Sequence, residues 1–341
     1  RRYRSPDDVL RAVEEERPQV VFLLSAYLYS VHGNMSLEAL ERLVGRLGEL
    51  GCRVVTGDPF LGMLSAQDPR RLIEIDLPEG APAGYREAKA AQEALLHGHL
   101  PRAERILRGA HHLYPAFTGA ADGAADARNV SFFNPRLLLP DLREGGPPRA
   151  GAAPHWLFVL SMADFHTQTT FQGPAEFVAI VTAKLVEARE AGRHPILIAP
   201  GELIEAVIHR MPRADGVDLL RYCSFRRLMA LLLTAEHAFY WNVVSHSILI
   251  RLFNGLPVIL FDKGHLVRNV KPMYRRVVDW YYQGREPAFL DHRRPLTVEA
   301  LAEHAAAQRL AADRMLEGYR RAPEPAAMIR AILDGAAIAA P

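Results

Sequence analysis

The chain has 341 residues, 49% of them hydrophobic and 23% charged, the make-up of a globular protein with sizeable cores, and it exceeds the usual length of one domain. Lys and Arg number 41 against 39 Asp and Glu, so the net charge of +2 is no footprint of a nucleic-acid binder. Cys52 and Cys223 lie far apart without metal-ligand spacing, no apolar run is long enough to span a bilayer and no signal peptide is visible, which together point to a reduced, cytoplasmic protein.

Along the chain, residues 1–16 form a charged lead-in with helical spacing, and the apolar run at 20–28 reads as a buried parallel strand. Ser36 is placed to cap a helix through Leu50, whose apolar face is Leu37, Leu40, Leu43, Val44 and Leu47, with Gly51 ending it. A second strand at 52–56 closes a βαβ unit, and its following loop carries Gly57, Asp58 and Pro59. Residues 83–113 show no strand character and are expected to be paired helices, with His97, His99, His111 and His112 as surface groups. On that stretch Arg102, Arg105 and Arg108 form a basic face suited to an acidic acceptor or a membrane surface. The Gly-, Pro- and Ala-rich residues 143–154 read as a linker, giving domains at 1–145 and 155–341.

The second half alternates regularly. Strands are expected at 156–160, 195–198, 219–222, 238–241 and 258–261, with helices at 174–191, 201–211, 224–235 and 245–254, a pattern that predicts a doubly wound parallel sheet. Loops at 161–173, 199–202, 222–225, 241–247 and 262–265 then fall on the carboxyl edge, where open α/β sheets bind ligands. They concentrate Asp164, His166, Thr167, Gln168, Tyr222, Ser224, Asn242, Ser245, His246, Ser247, Asp262, Lys263 and Gly264, with Arg268 just beyond. Asp164 and His166 are two ligands without a third, so no tightly bound metal is expected. Residues 291–339 are again helical.

Residues 245–257, SHSILIRLFNGLP, set a hydroxyl-rich helix start before a Gly-x-Pro break. Ser245, Gly255, Leu256 and Pro257 stand in the register of the donor-domain pattern of GT-B glycosyltransferases, Ser-x-x-x-x-Glu-Ala-x-x-x-Gly-x-Pro, and the chain resembles that superfamily over roughly its last half. It departs from the pattern at Ile250, in the acidic position, and at Arg251, in the small one. The resemblance implies two Rossmann-like domains facing across a cleft, with a helical insertion in the first and a helical C-terminus. It implies a nucleotide-sugar co-substrate and no further cofactor. Its acceptor is open (glycan, lipid-linked saccharide, small molecule or protein), and its location is cytoplasmic, with peripheral contact at the inner face of the membrane as an option. Tyr222 to Ser224 would hold the nucleobase, residues 164–170 the phosphates or sugar hydroxyls, and Lys263 or Arg268 would neutralise the leaving diphosphate.

His32, after the first strand, would be the general base of an inverting transfer, with Asp58 orienting it or replacing it. Two other readings stay open: an epimerase or hydrolase on the same scaffold, and a noncatalytic nucleotide-sugar-binding domain. Ile250 favours the last, and His32 with Asp58 favours a transferase.

Overall fold

The structure, a computed structural model, describes residues 5–31, 33–57, 82–114, 129–131, 154–211, 216–261, 275, 277–321 and 325–334. The chain forms two compact units, one from Arg1–Ile75, Glu87–Asn134 and Gly318–Pro341, the other from Asp76–Arg86 and Pro135–Glu317. Of the expected linker at 143–154, only Pro154 is among the described residues.

In the first unit, α1 (Pro6–Glu16) starts where the Ser5 hydroxyl accepts from Asp8 N–H, with Pro6 in the first turn, where its missing donor costs nothing. Ser36 caps α2 (Leu37–Glu49) in the same way, and Leu37, Leu40, Leu43 and Leu47 form its buried face. Strands β1 (Val20–Leu23), β2 (Arg53–Gly57), β3 (His111–Tyr114) and β4 (Asn129–Ser131) lie parallel in that order. Two expectations change here. β1 ends at Leu23, because Ser25 turns into the left-handed region at φ 54° and the chain winds into a 3-10 turn at Ala26–Leu28. Residues 83–113 are one helix, α3 (Ala83–Leu107), followed by β3; His111 and His112 pair in register with Val55 and Thr56, so sheet pairing decides their conformation.

The second unit carries β5 (His155–Val159), β6 (His194–Ile198), β7 (Asp218–Leu220), β8 (His237–Tyr240) and β9 (Val258–Leu260), all parallel, in the order β7-β6-β5-β8-β9. Helices α4 (Met162–Gln172), α5 (Pro174–Glu190), α6 (Gly201–Arg210), α7 (Phe225–Thr234) and α8 (His246–Phe253) alternate with these strands. A π-helical turn at Val277–Tyr281 precedes α9 (Val298–Arg321), whereas α10 (Pro325–Asp334) belongs to the first unit, where its Ile332 carbonyl accepts from Arg53 in β2. The strands are short and apolar because helices cover the sheet; Leu157, Phe158, Leu197, Phe239 and Ile259 are fully buried. Phe158 stacks on Phe239 at 4.5 Å, and Phe261 lies 5.4 Å from Phe239 and 4.6 Å from Trp241, an aromatic row across β5, β8 and the end of β9.

Candidate functional site

Strand order in the second unit reverses beside β5: the chain runs outward through β6 and β7, then returns to place β8 on the other side of β5. The two connections leaving β5 and β8 therefore part in opposite directions and open a crevice at their carboxyl ends, the position where α/β sheets take ligands.

After β5 the chain enters α4 directly. The expectation of a loop over 161–173 is overturned, for a local reason: Ser161 and Asp164 form a capping box. Ser161 Oγ accepts from Asp164 N–H at 3.1 Å, and Asp164 Oδ2 accepts from Ser161 N–H at 3.1 Å and from its hydroxyl at 2.6 Å. The side chains expected to project together are thus sorted by the helix. Asp164, Thr167 and Gln168 are buried and His166 is exposed.

After β8 the loop delivers Asn242, whose Nδ2 donates to Asp164 Oδ2 at 2.9 Å, a bond that bridges the two sides of the crevice. With that amide committed, Asn242 Oδ1 is buried and meets no donor among the described residues. Ser245 then caps α8 by accepting from Ile248 N–H at 3.2 Å, and its hydroxyl lies 2.7 Å from that of Ser247. His246 and Ser247 open the first turn of α8, so their N–H groups lie at the positive end of the helix. His246 is exposed.

The β8–α8 loop is held from behind. Tyr282, fully buried and pushed upward in pKa by that burial, donates its hydroxyl to Val243 O at 2.8 Å and accepts from Gln308 of α9. Trp241 Nε1 donates to His292 Nδ1 at 3.0 Å.

The two positions that depart from the donor-domain pattern are both core residues. Ile250 is 1% exposed. Arg251 is fully buried, and its guanidinium donates to the carbonyls of Leu232, Ala235, Glu236 and Pro257. Burial pushes it down to about 10. The cation closes the negative end of α7 and ties it to the turn before β9, so it occupies the small-residue position for a structural purpose.

At the outer strand, β7 ends at Leu220, and Tyr222 is 84% exposed. Ser224 caps α7 through Arg227 N–H at 3.3 Å. His32, Asp58, Asp262, Lys263, Gly264 and Arg268 lie outside the described residues.

In the first unit the ends of β1, β2 and β3 are tied by side chains that sequence reasoning passed over. Thr56 Oγ1 donates to Leu23 O at 2.8 Å and accepts from Ala26 N–H at 3.2 Å. Tyr27 Oη lies 2.7 Å from His112 Nε2, both groups buried. His112 is thus no surface histidine. Of the basic face on α3, Arg102 pairs with Glu38 at 2.7 Å and Glu41 at 3.5 Å, and Arg108 with Glu104 at 3.2 Å, which spends most of its charge internally. No helix among the described residues is long and apolar enough to cross a membrane.

No protein-family model matches the chain. No curated protein matches it either. Among solved structures it is similar to the glycotransferase of kitacinnamycin, at 16% identity, TM-score 0.52, over 96% of this chain and 79% of that one. It is similar to Os79 from O. sativa, crystallised in complex with UDP, at 11% identity, TM-score 0.52, over 97% and 82%. A putative UDP-N-acetylglucosamine 2-epimerase from Listeria monocytogenes superposes less well, at 11% identity and TM-score 0.45 over 97% and 78%. With a parallel sheet in each unit and the strand order reversing beside β5, the first two likenesses show that the chain has the GT-B fold.

Proposed function

We propose that the protein binds a nucleotide sugar at the carboxyl ends of β5 and β8 and transfers the sugar to an acceptor hydroxyl, with inversion and without a metal ion. The observation that carries this reading is the strand reversal beside β5, where the Asp164–Asn242 bond and the Ser245-capped start of α8 come together. The positive dipole end of a helix start suits a diphosphate. The unmet Asn242 acceptor is of the kind that concentrates at ligand sites, and the exposed ring of Tyr222 offers a face for a base. UDP in the rice protein gives the nucleotide class to try first.

In this reaction the acceptor oxygen bonds to the anomeric carbon while the bond from that carbon to the diphosphate breaks. His32 takes the hydroxyl proton, Asp58 orients the imidazole, and the electron pair leaves with the nucleoside diphosphate. Lys263 or Arg268 and the start of α8 stabilise the departing charge, the task a divalent cation performs elsewhere. Asp262 and Gly264 belong to the same diphosphate-side loop in this reading, and Thr167, Gln168, His166, Ser224 and Ser247 complete the donor side. The acceptor is a hydroxyl-bearing glycan, lipid-linked saccharide, small molecule or protein.

A test measures UDP and nucleotide-sugar affinity by calorimetry for the wild type and for Ser245→Ala combined with Ser247→Ala. The reading expects binding by the wild type and roughly tenfold weaker binding by the variant, about 1.4 kcal/mol. Equal affinities would move the site elsewhere.

A further inference from the structure

We infer that His292 is a positioning residue for this site: it sets the ring of Trp241, and through it the β8–α8 loop that carries Asn242. The inference rests on the nucleotide-binding reading above. Leu290 pairs with the end of β9 through the bridge to Phe261, and its N–H donates to Leu260 O at 2.8 Å, which brings the segment after it to the carboxyl edge of the sheet. Two residues on, the fully buried His292 ring lies 6.5 Å from the rings of Phe177 and Phe261.

Its hydrogen bonds have one consistent direction. Indole Nε1 can only donate, so Nδ1 of His292 accepts from Trp241 at 3.0 Å. Its other nitrogen, Nε2, then carries the proton and donates to Gln172 Oε1 at 3.1 Å. Arg293 adds a second donor to that oxygen at 3.3 Å, and Gln172 Nε2 passes the direction on to Gln168 Oε1. The ring is thereby held neutral in one tautomer.

The geometric result is a helix pinned at both ends. Asp164, in the first turn of α4, holds Asn242; Gln172, its last residue, holds Trp241 by way of His292. Adjacent residues of the β8–α8 loop are therefore fixed from two sides, so the loop is set before a ligand arrives. Pre-set geometry of this kind is what a supporting residue contributes to affinity.

The experiment compares wild type with His292→Phe, His292→Gln and Gln172→Met, using UDP as the probe. His292→Phe keeps the ring in its aromatic surroundings and removes both nitrogens, so UDP binding should weaken about tenfold while the thermal midpoint moves by only a few degrees. His292→Gln supplies an acceptor and a donor and should restore most of the loss. Gln172→Met leaves the histidine in place and should show a smaller weakening in the same direction, which keeps the test open if His292→Phe does not fold. Nitrogen NMR of the labelled ring should show a protonated Nε2 and an unprotonated Nδ1. Unchanged UDP affinity in His292→Phe, or no rescue by glutamine, overturns the positioning role alone. A wild type that binds neither UDP nor any other nucleoside diphosphate overturns the nucleotide-binding reading beneath it.

Discussion

His304 makes the stability of the second unit sensitive to acid. Its ring, 7% exposed on α9, accepts from Leu260 N–H through Nε2 at 3.2 Å, and burial pushes its pKa from 6.5 down to about 4. The folded state therefore holds the neutral form, and above pH 6.5 the unfolded chain does too, so the full contribution is present there. As pH falls from 6.5 toward 4 the unfolded chain binds a proton that the folded chain refuses, and stability is lost. At 1.36 kcal/mol per pKa unit, and integrating only between pH 7 and 4.5, the loss is about 2 kcal/mol. His304→Gln keeps an acceptor for Leu260 N–H and removes the titration. Urea unfolding of both proteins at pH 7 and pH 4.5 should show the wild type losing about 2 kcal/mol more than the variant across that interval. Parallel pH dependences, or a carbon-labelled His304 ring titrating near 6.5, would refute the reasoning.

Three further outcomes are expected. Arg251→Met orphans carbonyls at the end of α7 and in the turn before β9 and should cost about 3 kcal/mol or more in urea unfolding; a change below about 1 kcal/mol would remove the guanidinium from its structural role. Tyr27→Phe deletes the buried bond to His112 and should cost about 1–2 kcal/mol, read as a lower melting midpoint. Asp164→Ala removes both the α4 cap and the Asn242 partner, so it should lower stability by about 2 kcal/mol and weaken UDP binding together; loss of stability with intact binding would separate the cap from the site.

Much of the second unit was legible in the sequence, because strand-length apolar runs alternate with helical periods and Ser245 announces a helix start. The α4 helix was misread for its polar composition: residues 162–172 carry His, Thr and Gln where a packed helix ordinarily shows an apolar stripe. The missing clue was present, since Ser161-x-x-Asp164 is a capping signature. In the same way Gly109 breaks the helical reading before His111, yet only pairing with β2 makes that segment a strand. His292 had no such local signal. Its role depends on Trp241 and Gln172, distant in sequence and joined by the fold, and Arg251 looked like an intruder until four carbonyls were seen around it.

The strand order also fixes a sequence of events during synthesis. One edge of β5 is paired by β6 soon after it emerges, but the other waits for β8, which exists only after residues 160–236 have been made. At about 5–20 residues per second the wait is roughly 4–15 s. Throughout it the nascent chain offers an open edge flanked by Leu157 and Phe158, the kind of surface that pairs with other chains. A ribosome stalled between β7 and β8 should therefore carry the most aggregation-prone form of this protein, and a chain truncated there should go to inclusion bodies, whereas one that reaches β9 has its central strand covered on both sides.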